Sequence, residues 1–199
     1  GHIPMKERKG KMKRLILLLS VFLLIAGSYI PVSADEEEMR TYEIDLYGNK
    51  ESYYEYVTET DTVIIKVTDG SLPKGNSRII GAEEFAPGSY SRTISYQRKP
   101  VKSKAALKLE WKVRFTVSAT AKPRITSVSG FISSDYFATT GGPTITNPIA
   151  SVSKAANAYA YGRDVIYKPD GKSTVVHMNF NLYHDDSASV HIQDIVASN

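Results

Sequence analysis

The chain has 199 residues, with 25 Lys+Arg against 21 Asp+Glu, a formal net charge of +4 and no cysteine. Six of the basic residues and one acid precede Asp35, which leaves 19 against 20 and a formal charge of −1 over residues 35–199. The positive balance thus belongs to the N-terminus and gives no warrant for nucleic-acid binding, while the lack of cysteine excludes disulfide staples, a thiol nucleophile and a cysteine-linked lipid.

Taken in chain order, Lys6, Arg8, Lys9, Lys11, Lys13 and Arg14 stand before an apolar run from Leu15 to Ala26, broken only by Ser20. Gly27, Ser28 and Pro31 loosen the run, and Val32-Ser33-Ala34 supplies small residues ahead of a cut. A basic start, a short apolar centre and a small-x-small exit describe a secretory signal peptide. The alternative, a retained anchor, needs about 20 apolar residues, a length this run reaches only by including a proline, a glycine and two serines. The expectation is a leader over residues 1–34, with Gly1–Pro4 an added scar or an unused stretch ahead of Met5. A single exported domain over residues 35–199 follows, with no stable transmembrane anchor once the leader is gone.

Beyond the leader, strict alternation predicts strands over Thr41–Tyr47, Tyr53–Thr58, Thr62–Thr68 and Tyr90–Gln97. The clearest strand is Leu107–Val117, where Leu107, Leu109, Trp111, Val113, Phe115 and Val117 alternate with charged residues and a threonine. Successive side chains of a strand point to opposite faces, so six large apolar groups share one side, with Trp111 as a core anchor. The alternation slips by one residue between Ile125 and Val128 within the next strand, Arg124–Ile132, which predicts a bulge. ATTGGPTITN, after Phe137, reads as a loop, and Ile149–Ala160 is permissive for a short helix in a context that favours strands. A hairpin follows, Asn157–Lys168 and Ser173–Tyr183 around Pro169-Asp170-Gly171-Lys172. Its outgoing strand has a small-residue face of Ala158, Ala160 and Gly162 that would let another sheet approach. A last strand is expected over Ser189–Ile195.

About nine short strands and no long amphipathic helix predict an all-β fold, an antiparallel β-sandwich of immunoglobulin-like general architecture, with a barrel as alternative. A boundary near Lys99–Lys104 could divide two subdomains; one domain is the simpler expectation.

Motifs for chemistry are sparse. There is no Gly-x-Ser-x-Gly elbow and no His-Glu-x-x-His helix. His184, Asp186 and His191 have metal-ligating chemistry and would need a bend to converge; an exposed turn is the simpler account. No cofactor is implied. Tyr53, Tyr54 and Tyr56, with Tyr47, form an aromatic-rich hairpin able to stack on sugars or enter a protein contact. Arg98, Lys99 and Lys102, with Lys104, form a basic loop able to meet an anionic wall polymer or a lipid headgroup.

This combination of a Lys-rich leader, cysteine-free alternating strands and a late Tyr/Asn-rich hairpin resembles small exported β-rich proteins of Gram-positive bacteria. The resemblance is one of general design and implies no catalytic residues. Three functions compete. The first is a non-catalytic secreted or cell-surface domain binding a cell-wall polymer, carbohydrate or protein partner. The second is a secreted hydrolase whose site assembles only in the fold. The third is a secreted toxin or bacteriocin-like, membrane-active protein, with Ala138–Pro148 and its neighbours as the segment that would enter lipid.

Overall fold

The computed structural model describes residues 37–46, 51–69 and 84–198, so the leader, Tyr47 and Glu83 lie outside the described residues. Among the described residues ten strands form two antiparallel sheets. One is ordered β1(Glu37–Leu46), β10(Ala188–Ser198), β9(Lys172–Leu182), β8(Ala156–Arg163), β7(Thr139–Asn147). The other is ordered β2(Ser52–Val57), β3(Asp61–Asp69), β4(Gly88–Pro100), β5(Leu107–Val117), β6(Arg124–Ser133). The architecture is the expected β-sandwich, not a closed barrel, but its order departs from the immunoglobulin pattern. Each strand within a sheet lies beside its neighbour in sequence, except that β1 pairs with β10. The chain is one long meander folded over itself, changing sheets between β1 and β2 and again between β6 and β7, with no Greek-key return.

Alternation places the core. Leu107, Leu109, Trp111, Val113, Phe115 and Val117 of β5 are all buried, and Val176, Met178, Phe180 and Leu182 of β9 face them from the other sheet. Phe115 meets Phe180 at 5.1 Å between ring centroids across the sheet interface. The small face of β8 has its reason here. Ala156, Ala158 and Ala160 are fully buried, and a Cβ on Gly162 would fall 2.8 Å from Phe137 and 3.0 Å from Leu109. Large side chains of β5 fill the space that small ones on β8 leave, which keeps the interior close-packed.

Several boundaries differ from the sequence reading. The run expected as a loop after Phe137 is the edge strand β7. An edge strand tolerates Pro143 because only one side of it must donate to a ladder, and the register against β8 shifts between Gly141 and Thr144, where Gly142 has φ +82°. No helix forms in Ile149–Ala160; Ile149 makes a bridge to Arg124 and β8 begins at Ala156. The outgoing hairpin strand stops at Arg163; Asp164 is buried, and its N–H donates to the Thr174 carbonyl at 2.8 Å. The predicted bulge is present: Arg114 pairs with Ser127 and Phe115 with Ile125, leaving Thr126 as the extra residue. The Lys99–Lys104 region divides nothing, since Lys99 belongs to β4 and residues 101–106 join β4 to β5 within one sheet.

Among the described residues no helix is long and apolar enough to cross a membrane.

Candidate functional site

The outer face of the β1-β10-β9-β8-β7 sheet is built by the same alternation that builds the core. Where Ala158, Ala160, Met178 and Phe180 point inward, Asn157, Tyr159, Tyr161, His177, Asn179 and Asn181 point outward. The register aligns these residues into rows across the strands. One row runs Thr41, Gln193, His177, Tyr161, Gly141; the next runs Glu43, His191, Asn179, Tyr159, Thr144.

Three rings form a tile at the centre of these rows. The Tyr159 hydroxyl lies 2.6 Å from His177 Nδ1, and the two ring planes differ by 17° with centroids 6.0 Å apart. Face-over-face stacking would hold near-parallel planes about 3.5 Å apart, too far for atoms 2.6 Å apart, so these rings lie side by side. Tyr161 makes angles of 24° with Tyr159 and 29° with His177. Its ring leans over the edge strand: a Cβ on Gly141, its cross-strand partner, would fall 2.0 Å from Tyr161 Cε1. An aromatic ring laid over a cross-strand glycine covers backbone that would otherwise be bare. All three rings remain partly exposed.

Beside the tile is an amide cluster. Asn157 Nδ2 donates to Asn181 Oδ1 at 2.8 Å and to Asn179 Oδ1 at 3.2 Å, and Thr146 Oγ1 donates to Asn157 Oδ1. Each amide carries two donors and two acceptor lone pairs, more capacity than these bonds use. Burial, with the charge of Arg163 nearby, lowers the pKa of His177, which favours the neutral ring, and Nδ1 and the Tyr159 hydroxyl share one hydrogen bond. Burial raises the pKa of Tyr159 in turn, with Tyr161 adding to it. The face is therefore uncharged at its centre, with flat apolar rings bordered by hydrogen-bonding amides.

The residues singled out from sequence are placed elsewhere. Tyr53 and Tyr54 are exposed, on opposite faces of β2; Tyr56 packs on the core beside Tyr42. Tyr53 donates to Glu55 and lies under Lys66 on the outer face, so the tyrosine hairpin is not one platform. Lys99 and Lys102 are exposed, whereas Arg98 is fully buried and is corrected from the basic loop to the interior. Its Nη1 donates to Asp170 at 2.5 Å and its Nη2 to Thr174 at 2.9 Å. His184 lies in the exposed β9–β10 turn. Asp186, at φ 67°, uses its backbone carbonyl to accept from Phe85 N–H at 2.9 Å. His191 lies on the outer face opposite Glu43 and Asn179. Among the described residues no three His, Asp or Glu side chains gather as a metal site.

The outward phase of His177, Asn179 and Asn181 follows from the period-two alternation of β9, but its meeting with Tyr159 and Tyr161 does not. The signal was the simultaneous outward phase of both hairpin strands, which only the register converts into contacts. Comparison with protein-family models, with curated proteins and with solved structures gives no match.

Proposed function

We propose that the chain is an exported, non-catalytic β-sandwich domain that binds a glycan polymer of the cell envelope on the outer face of β7, β8 and β9. The observation that carries this reading is the tile of Tyr159, Tyr161 and His177, whose planes lie within 29° of one another beside the Asn157–Asn179–Asn181 amides. A sugar ring offers a C–H face that packs on an aromatic plane and a rim of hydroxyls that bonds to amides; this face supplies both. The absence of charge at its centre suits a neutral polymer, and the sheet's rigidity means that little ordering is needed on binding. Export is supported by the basic, apolar and small-residue pattern of residues 6–34.

Two measurements test the reading. Residues 35–199 are incubated with insoluble cell-wall glycan and the retained fraction is measured. The Tyr159→Ala/Tyr161→Ala variant is expected to lose about fivefold or more in affinity, as removal of two aromatic contacts worth about 0.5–1.5 kcal/mol each beyond buried area requires. Tyr53→Ala, on the other sheet, retains full binding. Equal retention of the double variant would remove the tile from the reading, and no retention of the parent chain by any envelope glycan would end it. Separately, mass spectrometry of culture medium from the producing cell should find a species beginning at Asp35; a secreted species that keeps Leu15–Ala26 would overturn the leader assignment.

A further inference from the structure

One end of the sandwich carries the β4–β5 connection (residues 101–106), the β8–β9 connection (residues 164–171) and the β6–β7 connection (residues 134–138). These loops are fastened to one another. Tyr136 packs edge-on against Tyr167 at 4.7 Å, Asp170 holds buried Arg98, and Arg98 lies over the Tyr167 ring at 5.3 Å. On this fixed base three aliphatic side chains project into solvent: Val101 at 60% exposure, Val165 at 66% and Ile166 at 49%. The backbone beside them is pinned, with Val101 N–H donating to Thr60 O at 3.0 Å, and Asp164 N–H and Tyr167 N–H, on either side of the other tip, donating to Thr174 O at 2.8 Å and Lys172 O at 2.6 Å. Exposed aliphatic groups on a rigid end are a built feature that calls for a covering surface.

The charges around the tips choose that surface. Lys99, Lys102, Lys104 and Lys168 are exposed, while the acids of the same two connections turn inward: Asp164 is buried and Asp170 is paired with Arg98. Exposed Asp135 and Glu59 lie on neighbouring loops, and Glu37 and Glu38 lie on β1, three strands across from β8. The chain also enters the domain at this end. Glu37, the first described residue, pairs with Ala197, and the adjoining Ser198 pairs with Lys172 at the start of β9, so β1 begins at this end.

We propose that this end docks on an anionic lipid bilayer, with Val101, Val165 and Ile166 entering the headgroup layer and the four lysines meeting lipid phosphates. Aliphatic tips gain by leaving water, and basic groups near an anionic surface add an attraction that salt screens. The surface is separate from the ring tile, so it acts whether or not that tile binds glycan.

The test uses residues 35–199, which contain all ten strands and the whole core, because the apolar leader would itself partition into lipid. Sedimentation is compared with vesicles of pure phosphatidylcholine and with vesicles one-third phosphatidylglycerol. Binding is expected to the anionic vesicles, to weaken at high salt, and to fall about fivefold for each of Lys102→Gln and Lys104→Gln. Val165→Ser/Ile166→Ser should reduce it tenfold or more at an unchanged melting temperature. Val101→Ser, on the other loop, gives the same direction of change should the double variant alter the turn. Equal binding to both vesicles, or none, overturns the proposal. So does loss on lysine removal without loss on removal of the aliphatic tips, a pattern that inorganic polyphosphate would reproduce and that would identify a soluble polyanion site instead.

Discussion

Asp164 shows how much a single carboxyl can ask of this fold. Burial raises its pKa to about 6, with the Val165 and Ile166 N–H groups and the Arg98 charge opposing that rise only in part. Because the folded state holds the proton more tightly than the unfolded chain, this group's contribution to stability is greatest below the ordinary carboxylate range. It declines as pH rises from the ordinary value of 3.8 through about 6, and stays low above that. Asp164→Asn keeps the size of the side chain and one acceptor oxygen and removes the buried charge. The variant should unfold at higher urea than the parent at mildly alkaline pH, by about 1–3 kcal/mol, with the difference shrinking toward zero in acid. Urea titrations across that range decide it, and a variant less stable than the parent at alkaline pH would show that the ionised form is held favourably. The tip formed by Val165 and Ile166 thus follows directly on a buried carboxyl whose Oδ2 has no hydrogen-bond partner among the described residues.

At the scale of elements, adjacent glycines of β7 separate binding from folding. Gly141 has an ordinary backbone, and its substitution meets only a ring, which can swing aside. Gly141→Ala should therefore weaken glycan retention as Tyr161→Ala does while moving the melting temperature little. Gly142 has φ +82°, and a Cβ there would fall 2.6 Å from the Tyr159 carbonyl oxygen. Gly142→Ala should cost about 1 kcal/mol or more, because the backbone itself must move. Parallel melting and retention curves for the two variants check both statements. The same strand marks the limit of sequence reading. β5 and β9 were legible because both keep an unbroken period of two with one buried face. β7 was not, because Gly141, Gly142 and Pro143 erase the period and its stability comes from pairing with β8. The tile was half legible. The outward phase of Tyr159, Tyr161 and His177 is a property of each strand, whereas their meeting with near-parallel planes comes from the β8–β9 register and the gap that Gly141 leaves. Arg98 was misread for a related reason: a charge beside exposed lysines looks solvated unless one notices that it shares the inward phase of Ile94 and Tyr96.

For the molecule as a whole, that inward phase explains how the meander is closed. Arg40, Asp61 and Asp194 each occupy an inward position on a strand whose other inward residues are apolar or aromatic. They meet between the sheets. Arg40 bonds Asp194 through Nε at 2.8 Å and Nη2 at 3.0 Å, and Asp61 through Nη1 at 2.8 Å and Nη2 at 3.1 Å. Tyr96 donates to Asp194 Oδ2 at 2.5 Å and Thr58 to Asp61 Oδ1 at 2.7 Å, so one cation ties β1 to strands of both sheets. Burial alone would raise the Asp61 carboxyl, but the bonds and charge of Arg40, with Thr58, outweigh it and hold it below its ordinary value. β1 and β10 are the first and last strands, the pairing of greatest sequence separation and the costliest loop to close. A bidentate clamp at that seam fixes the register where apolar contact alone would permit slippage. Arg40→Met should then cost about 3–5 kcal/mol, since it strands Asp194 in the interior and leaves Asp61 only the longer ionic contact with Arg98 at 3.6 Å. Arg40→Met/Asp61→Asn/Asp194→Asn should recover much of that loss by removing the stranded charges. Trp111, the one tryptophan of the chain and fully buried, reports both by fluorescence during urea unfolding. If the triple variant proves no more stable than Arg40→Met, the clamp acts through its geometry as well as by balancing charge, and register at the β1–β10 seam depends on the bonds themselves.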